Sequence, residues 1–459
     1  MNNALPKVAI VGSGISGLAA AHTLRGQAHI TLFEAGDYFG GHTHTVDVTL
    51  PTPLGQVSHG VDTGFLVFNE RTYPNLIALF AELGVETARS DMSFSVKAPG
   101  APGGRALEWS GSSLNSVFAQ RGNLVSWKFL RMLRDIVRFN RVTTALAAAN
   151  AEVAMVQPLG EFLREQQFSS EFRDWYFLPM MGCIWSCPTE QMLQFPVATM
   201  IRFCHNHGLI QVTDRPQWWT VKGGARNYVD KIIAGIADKR LNTPVERIER
   251  DPNALRGGVR IVTRNAIEHF DKVVLATHSD QSLALLPHAS PAERAALSAI
   301  RYQPNRAVLH LDSTVLPQKK LAWAAWNYER AAHTDRESSG VCLHYLLNML
   351  QPLPFGQPVV VSLNPVREIA RQHILGEYDY MHPVFDLAAT QAQQALPSLQ
   401  GRQHSYFCGA WTGYGFHEDG LKSGMHAARL LLEDHAQHAQ HAQHAQIVQA
   451  KPALQGVPA

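Results

Sequence analysis

Gly12-Ser13-Gly14-Ile15-Ser16-Gly17 constrains this chain more than any other stretch. Lys7–Val11 before it reads as a short buried strand, apolar after its first residue. Leu18 to Arg25 reads as a helix, and His29–Phe33 as a second strand ending on Glu34. Strand, tight turn, helix, strand, acid is the context in which G-x-G-x-x-G binds a dinucleotide. Gly12 lets the chain turn sharply, Gly14 keeps no side chain between backbone and pyrophosphate, and Gly17 lets helix and strand approach. Around Ile15 and Ser16 the helix N-terminus offers N–H groups and a positive dipole end to phosphate. Glu34, with Ala35 behind it, stands where a carboxylate accepts hydrogen bonds from the adenosine ribose hydroxyls. Its charge disfavours a 2′-phosphate and therefore NADP.

Composition bounds the rest. A chain of 459 residues suits two or three domains or one interleaved pair. A net charge of +2 gives no reason to expect nucleic acid as a partner. The first strand begins within a few residues of Met1, so no signal peptide is expected, and no apolar run is long enough to span a membrane. The five cysteines, Cys183, Cys187, Cys204, Cys342 and Cys408, are odd in number and scattered, which suits reduced thiols in a cytosol. Cys183 and Cys187 lack a matching His or Cys pair, so no metal site is expected.

After Glu34 come Gly40-Gly41-His42-Thr43, two glycines placed for a second close approach to the ligand. His42 and His44 read as loop or cofactor-lining residues. Val61-Asp62-Thr63-Gly64 then leads toward a helix from Tyr73 to Leu83, closed by Gly84. With these motifs in place the chain resembles the flavin-containing amine oxidase superfamily, which includes protoporphyrinogen oxidase and phytoene desaturase. The resemblance implies noncovalent FAD, with Asp62 and Gly64 beside the flavin, and a Rossmann-like α/β FAD-binding domain interleaved with an α+β substrate domain. It also implies an adenine contact by the backbone near Val245. The family carries Arg after Gly-Gly where this chain has His42.

The expected FAD domain takes residues 5–90, 215–300 and 396–434, and the substrate domain 91–214 and 301–395. A hairpin is expected over Ser93–Lys97 and Ala106–Ser110, then mostly helix to residue 210. Within it Leu124–Val142 is amphipathic, with Lys128, Arg131, Arg134, Arg138 and Arg141 on one stripe. That stripe is either a solvated face or a peripheral contact with anionic lipid at the inner face of a membrane. The apolar stretch Leu178–Pro188 holds prolines that break a helix, and it either lines a substrate cavity or packs in the core. Asn206-His207-Gly208 reads as a helix stop, where the dipole favours a cationic His. Strands are expected at Thr243–Ile248, Val259–Thr263 and Lys272–Ala276. Four more fall at Arg306–Asp312, Leu321–Tyr328, Val341–Leu347 and Pro358–Leu363, with Trp323, Trp326 and Tyr328 alternating on one of them.

The second anchor is Cys408-Gly409-Ala410-Trp411-Thr412-Gly413-Tyr414-Gly415-Phe416-His417-Glu418-Asp419-Gly420-Leu421. A strand enters a Gly-rich loop, and a helix follows from Gly420 to Leu432. The superfamily resemblance places Gly409, Ala410, Glu418, Asp419, Gly420 and Leu421 at the cofactor, with the helix N-terminus at the flavin pyrimidine. Phe416 falls where a ring flanks the substrate, and Asp419 alternatively caps the helix. Tyr414, Phe416 and His417 are the catalytic candidates, with Glu418 a further acid–base candidate. This motif, together with Trp323-Ala324-Ala325-Trp326-Asn327-Tyr328, resembles a bacterial group of FAD-binding oxidoreductases similar to the N-terminal part of plant cyclopropane fatty acid synthases. From His435 the repeated His-Ala-Gln predicts a disordered tail through residue 459.

Three functions follow as expectations. One is hydride transfer to flavin N5 from an apolar, fatty-acyl substrate. The second is a flavin amine oxidase, and the third is a non-catalytic FAD-binding accessory of a lipid-modifying enzyme.

Overall fold

Four of the five residues of the strand Lys7–Val11 are buried. A strand covered on both faces belongs in the middle of a parallel sheet. The computed structural model places it there, and describes residues 5–99, 106–150, 157–185, 189–209, 216–251, 253–254, 258–330 and 341–449. The sheet runs Asp238–Arg240, His29–Phe33, Lys7–Val11, Lys272–Leu275, Ser405–Phe407, every neighbour parallel. In chain order this is third, second, first, fourth, fifth, with its switch point between the first and fourth strands. The crevice outside the strand ends at such a point is where α/β sheets bind ligands. A separate antiparallel sheet holds Val245–Arg250, Val259–Thr263 and Ile267–Phe270.

These strands belong to a first compact unit made of residues 1–41, 231–298 and 393–459, and a second unit holds 42–230 and 299–392. The expected division gave residues 42–90 and 215–230 to the nucleotide domain. They pack in the second unit because their strands pair there with each other. Phe68–Asn69 and Thr87–Ser90 flank Trp218–Val221, and the hairpin of Thr45–Thr52 with Gly55–Asp62 is tied to Ala225 and Gln351 through Asp62.

In the first unit the helix Ile15–Leu24 starts three residues before Leu18, because the Leu18 N–H already bonds the Gly14 carbonyl at 3.0 Å. The last helix runs His417–Gln449. It continues through the segment from His435 expected to be disordered. The His-Ala-Gln repeat holds neither Gly nor Pro before Gln449, so nothing interrupts the i→i−4 ladder. Residues 450–459 lie outside the described residues.

The second unit is built on a seven-stranded mixed sheet in the order Ile374–Val384, Arg301–His310, Val360–Leu363, Cys342–Leu346, Trp326–Glu329, Phe94–Ala98, Leu107–Ser110. The strand expected from Leu321 begins only at Trp326, since Lys320–Ala322 is a 3₁₀ turn and Trp323 turns its indole N–H to the Pro317 carbonyl at 2.7 Å. Trp326 is half-buried and meets Tyr345 edge-on, Trp323 is half-buried against the core around Val308 and Val360, and Tyr328 is buried. The apolar stretch is core, and it is helical despite its proline. Leu178–Trp185 follows a π-helical turn at Arg173–Phe177. Pro179 leaves the Trp175 carbonyl without its i+4 donor, and the Trp109 indole N–H takes that place at 3.2 Å. Trp185 packs on Phe195 and Phe203. Ser186, Cys187 and Pro188 lie outside the described residues.

The amphipathic helix spans Trp127–Ala148, capped by Ser126, so Leu124 and Val125 precede it in a 3₁₀ turn. Its five cations do not form one face. Arg131 pairs with buried Glu171, and Arg138 lies 4.0 Å from the centre of the Phe168 ring and leans toward buried Asp135. Lys128, Arg134 and Arg141 are exposed. The helix stop at Val197–Asn206 stands as expected, but His207 is not a cation. Burial pushes its imidazole down to about 4, and its Nδ1 sits 3.0 Å from the Phe203 carbonyl.

A polar row crosses five adjacent strands of the large sheet. Lys97 holds Glu329 at 2.8 Å, Glu329 meets His344 Nε2 at 3.0 Å, His344 Nδ1 meets Ser362 Oγ at 2.6 Å, and Ser362 meets His310 Nε2 at 2.7 Å. Cys342 Sγ lies 3.4 Å from His344 Nε2. Burial alone would lower His344, but the Cys342 sulfur and the Glu329 carboxylate hold it up at about 9. Burial would raise Glu329, yet His344 and Lys97 bring it down to about 2. His344 therefore contributes stability that is complete below pH 6.5 and lost as pH rises toward 9. Chemical denaturation from pH 6.5 to 9 is expected to show a loss on the order of 2–3 kcal/mol that His344→Gln removes. The same slope in both proteins would show that this pair does not set it.

Candidate dinucleotide site

The turn after the first strand is fixed by backbone contacts. Gly12 adopts φ +100°, and a Cβ on it would stand 2.8 Å from the Ala276 carbonyl oxygen. A Cβ on Gly17 would run into the Gly12 carbonyl itself. Both glycines serve the packing of strand on helix. Gly14 differs, because around its Cβ position there is no atom within 4 Å. It caps the helix that Ile15 and Ser16 begin, and the space before it is open to a ligand. Gly40 and Gly41 close on this turn as their sequence position suggests. Gly40 N–H bonds the Ser13 carbonyl at 3.1 Å, and a Cβ on Gly41 would lie 3.1 Å from Gly14 Cα. Three glycine backbones thus meet where a pyrophosphate needs bare amides.

Glu34 is held rigidly at the end of the second strand. Its Oε2 accepts from Ser13 N at 2.9 Å and Ser13 Oγ at 2.5 Å, and Oε1 accepts from Gly36 N at 2.8 Å. A carboxylate oxygen accepts two hydrogen bonds, so Oε1 keeps capacity for a ribose hydroxyl. Ala35 beside it is exposed. Thr243 N–H bonds the Glu34 carbonyl at 2.8 Å, which brings the chain entering the Val245 strand alongside the acid. Val245 itself is half-buried at a strand end.

The C-terminal loop brings a second helix N-terminus to the same unit. Gly420 and Gly424 face the first helix. A Cβ on Gly420 would stand 2.7 Å from the Ile15 side chain, and one on Gly424 would strike the Ser16 carbonyl and approach Ala19. Successive contacts advance together along both chains, so the helices run parallel with adjacent N-termini. Two positive dipole ends then address one region. Within the loop, Gly409 N–H bonds Ser423 Oγ, Ala410 begins a 3₁₀ turn, and the Trp411 indole N–H reaches the Thr277 carbonyl.

The other expected residues of this loop and helix start are placed as follows. Asp419 Oδ2 accepts from Tyr414 N at 3.0 Å and Phe416 N at 3.1 Å, so it caps the loop, and burial still pushes its carboxyl up to about 6 against those bonds. The helix starts at His417, which draws Gly420 N–H into a bond with the Phe416 carbonyl and buries Leu421. Burial pushes His417 down to about 3, so at neutral pH it is a neutral ring far from the pKa that acid–base catalysis favours. Glu418 is buried, and Tyr414 and Phe416 are half-buried.

The remaining candidates lie in the second unit. Asp62 is 1% exposed and ties three segments of this unit together. Its carboxylate accepts from Thr45 Oγ1 at 2.5 Å, Ala225 N at 2.9 Å and Gln351 Nε2 at 2.7 Å, while burial lifts it to about 7. Gly64 passes so close to His42 that a Cβ would meet the His42 carbonyl, which accepts the Phe65 N–H at 2.8 Å. Thr43 Oγ1 bonds the buried Tyr228 hydroxyl at 2.5 Å. The His42 ring lies 5.0 Å from Tyr380 and 5.6 Å from His382, and His44 Nδ1 lies 3.1 Å from both Tyr380 OH and Thr63 Oγ1. Tyr378, Tyr380 and His382 alternate along Ile374–Val384, a strand that the sequence pattern did not suggest. Among the described residues, Glu329, Cys342 and His344 are the one metal-capable set, and their donors are committed to the polar row.

The glycine geometry separates two substitutions. Gly17→Ala is expected to unfold the turn and lower the melting temperature. Gly14→Val, at a site with open space and φ −61°, is expected to fold with a near-normal melting temperature and lose bound dinucleotide at least about tenfold. Equal dinucleotide retention in Gly14→Val and the parent would place the pyrophosphate elsewhere.

The family model of flavin-containing amine oxidoreductases matches residues 15–324. A Mycobacterium tuberculosis protein provisionally named flavin-containing monoamine oxidase AofH is 26% identical over 260 residues, 53% of this chain and 51% of that one. The chain thus spans about half the length of the curated relatives it matches. Among solved structures, putrescine oxidase bound to putrescine aligns with a TM-score of 0.64 at 15% identity. Cyclohexylamine oxidase from Brevibacterium oxydans gives 0.62 at 17%, and a fatty acid isomerase from P. acnes that produces CLA gives 0.63 at 16%. Each alignment covers 94% of this chain and 99% of the other, and at these identities the likeness is one of fold. With a matching family model over more than half its length and a glycine cradle that fits the cofactor, the chain belongs to the flavin-containing amine oxidoreductase family, and its dinucleotide is FAD.

Proposed function

We propose that this protein is an FAD-dependent oxidoreductase whose substrate is an apolar molecule with a carboxylate or acyl head, a fatty acid in the simplest case. The observation that carries the redox reading is the cradle, where Gly14, Gly40 and Gly41 meet before open space and two parallel helices end together. When bound, FAD accepts a hydride from a substrate C–H bond. The chain's own part is to hold and orient. The amides around Gly14 and Ile15 would take the pyrophosphate, Glu34 the ribose, and the backbone near Val245 the adenine. The dipole of the His417–Gln449 helix favours negative charge at its N-terminus.

The substrate reading is supported by the His42, His44, Tyr378, Tyr380 and His382 cluster, where His42 follows Gly41 directly in the chain. Imidazole and phenol groups donate hydrogen bonds to a carboxylate. The resemblance of Trp411–Gly420 to the lipid-linked bacterial group points the same way. Amine oxidation is the second reading, favoured by the family match.

An anaerobic absorbance titration separates them. Flavin bands that bleach with a long-chain unsaturated fatty acid and not with putrescine or cyclohexylamine support the proposal, and His382→Phe is then expected to raise KM more than it lowers kcat. Bleaching by amines alone makes the protein an amine oxidase. Flavin that neither class reduces supports the accessory role.

A further inference from the structure

Seven of the fourteen exposed large hydrophobic side chains among the described residues fall in two neighbouring places. Six lie between Leu114 and Val137, and the seventh is Leu321. The short helix Leu114–Val117 touches the 3₁₀ turn Lys320–Ala322, and the turn Arg121–Val125 leads through Ser126 into the helix Trp127–Ala148. On that helix Trp127, Leu130, Arg134, Val137 and Arg141 follow one another at spacings of three and four. At 3.6 residues per turn they share an arc of about 80°. The opposite arc, with Phe129, Met132, Phe139 and Thr143, is buried. Val125 is 88% and Trp127 71% exposed, far more than isolated surface apolar residues require.

The charges around these tips have one sign. From residue 111 to 149 the sole acid is Asp135, which is 1% exposed and lies 3.5 Å from an Arg134 guanidinium that is itself 70% exposed. Arg121, Lys128, Arg134 and Arg141 are exposed in the same stretch, and exposed Lys319 and Lys320 immediately precede Leu321. A second copy of the chain seated here would set cation against cation. Acyl chains beneath a layer of anionic phosphates match both features together, with a tryptophan at the boundary they share.

We propose that this face docks the protein peripherally on an anionic lipid bilayer, with Leu124, Val125 and Trp127 entering the acyl boundary and Arg134 and Arg141 at the phosphates. The proposal does not depend on the substrate being a lipid. It differs from a stripe of five cations, since Arg131 and Arg138 are turned inward to Glu171 and Phe168.

The test is flotation of the FAD-loaded full chain with vesicles of phosphatidylglycerol in phosphatidylcholine, and with phosphatidylcholine alone. The parent is expected to float with the anionic vesicles, less so at high salt. Val125→Glu with Trp127→Glu, and separately Arg134→Glu with Arg141→Glu, are each expected to weaken binding about tenfold or more. Arg134→Lys with Arg141→Lys should restore it, and retained flavin absorbance shows that each variant is folded. No flotation of the parent overturns the proposal, as does flotation that the substitutions leave unchanged. A dimer in solution that Trp127→Glu dissociates, without vesicle binding, assigns the face to a second copy instead.

Discussion

The cradle depends on how closely two helices and a strand can approach. Gly17 lets the first helix sit on the Gly12 carbonyl, and Gly424 lets the last helix sit on the Ser16 carbonyl, where any Cβ would collide. These contacts involve backbone on at least one side, so no rotamer change relieves them. They also set function, because helices that touch this closely and run parallel bring both N-termini to one place. A methyl group between them would push apart dipole ends whose effect falls off within a single turn. Gly14 is the exception that reveals the design, since its missing side chain serves no packing at all.

The first unit was legible where the chain is locally self-consistent. The Lys7–Glu34 stretch carries strand, turn, helix and acid within reach of one another, and the structure follows it closely. Less legible were features fixed by distant partners. Asp62 sits in a recognisable motif, but its carboxylate partners Thr45, Ala225 and Gln351 lie up to 289 positions away and no local pattern names them. Leu178–Trp185 reads as broken by proline, but a π-helical turn and the Trp109 indole absorb the disruption. The strand Ile374–Val384 alternates Tyr378 and Tyr380 with Glu377 and Asp379, but Gly376 and Pro383 within it weaken the strand signal.

The second unit keeps an unusual amount of polar chemistry inside. The row from Lys97 to His310 is satisfied at each link, which is the condition under which buried polar groups are tolerated. Arg250 and Glu293 show the same rule in the first unit, each 2% exposed and joined at 2.6 Å. Such sets fix register, since a strand slipped by one residue would leave a charge facing apolar neighbours.

One helix shows why spacing alone does not sort charges. Arg131, Arg134, Arg138 and Arg141 recur every three or four residues, so a helical wheel draws them as one stripe. Their directions nonetheless divide. Arg131 and Arg138 turn to Glu171 and to the Phe168 ring, while Arg134 and Arg141 share the outer arc with Trp127 and Val137, Arg134 still within 3.5 Å of Asp135. A rotation of about 60° separates an arginine that holds the helix to its own core from one that faces outward. Whether a neighbouring element supplies an acid or a ring on that flank is decided by residues 168–171, with Glu171 40 positions from Arg131 and Phe168 30 from Arg138. The inner arginines therefore belong to the fold, and the outer ones stand exposed among apolar tips, Arg134 keeping most of its side chain in solvent even as it leans to Asp135.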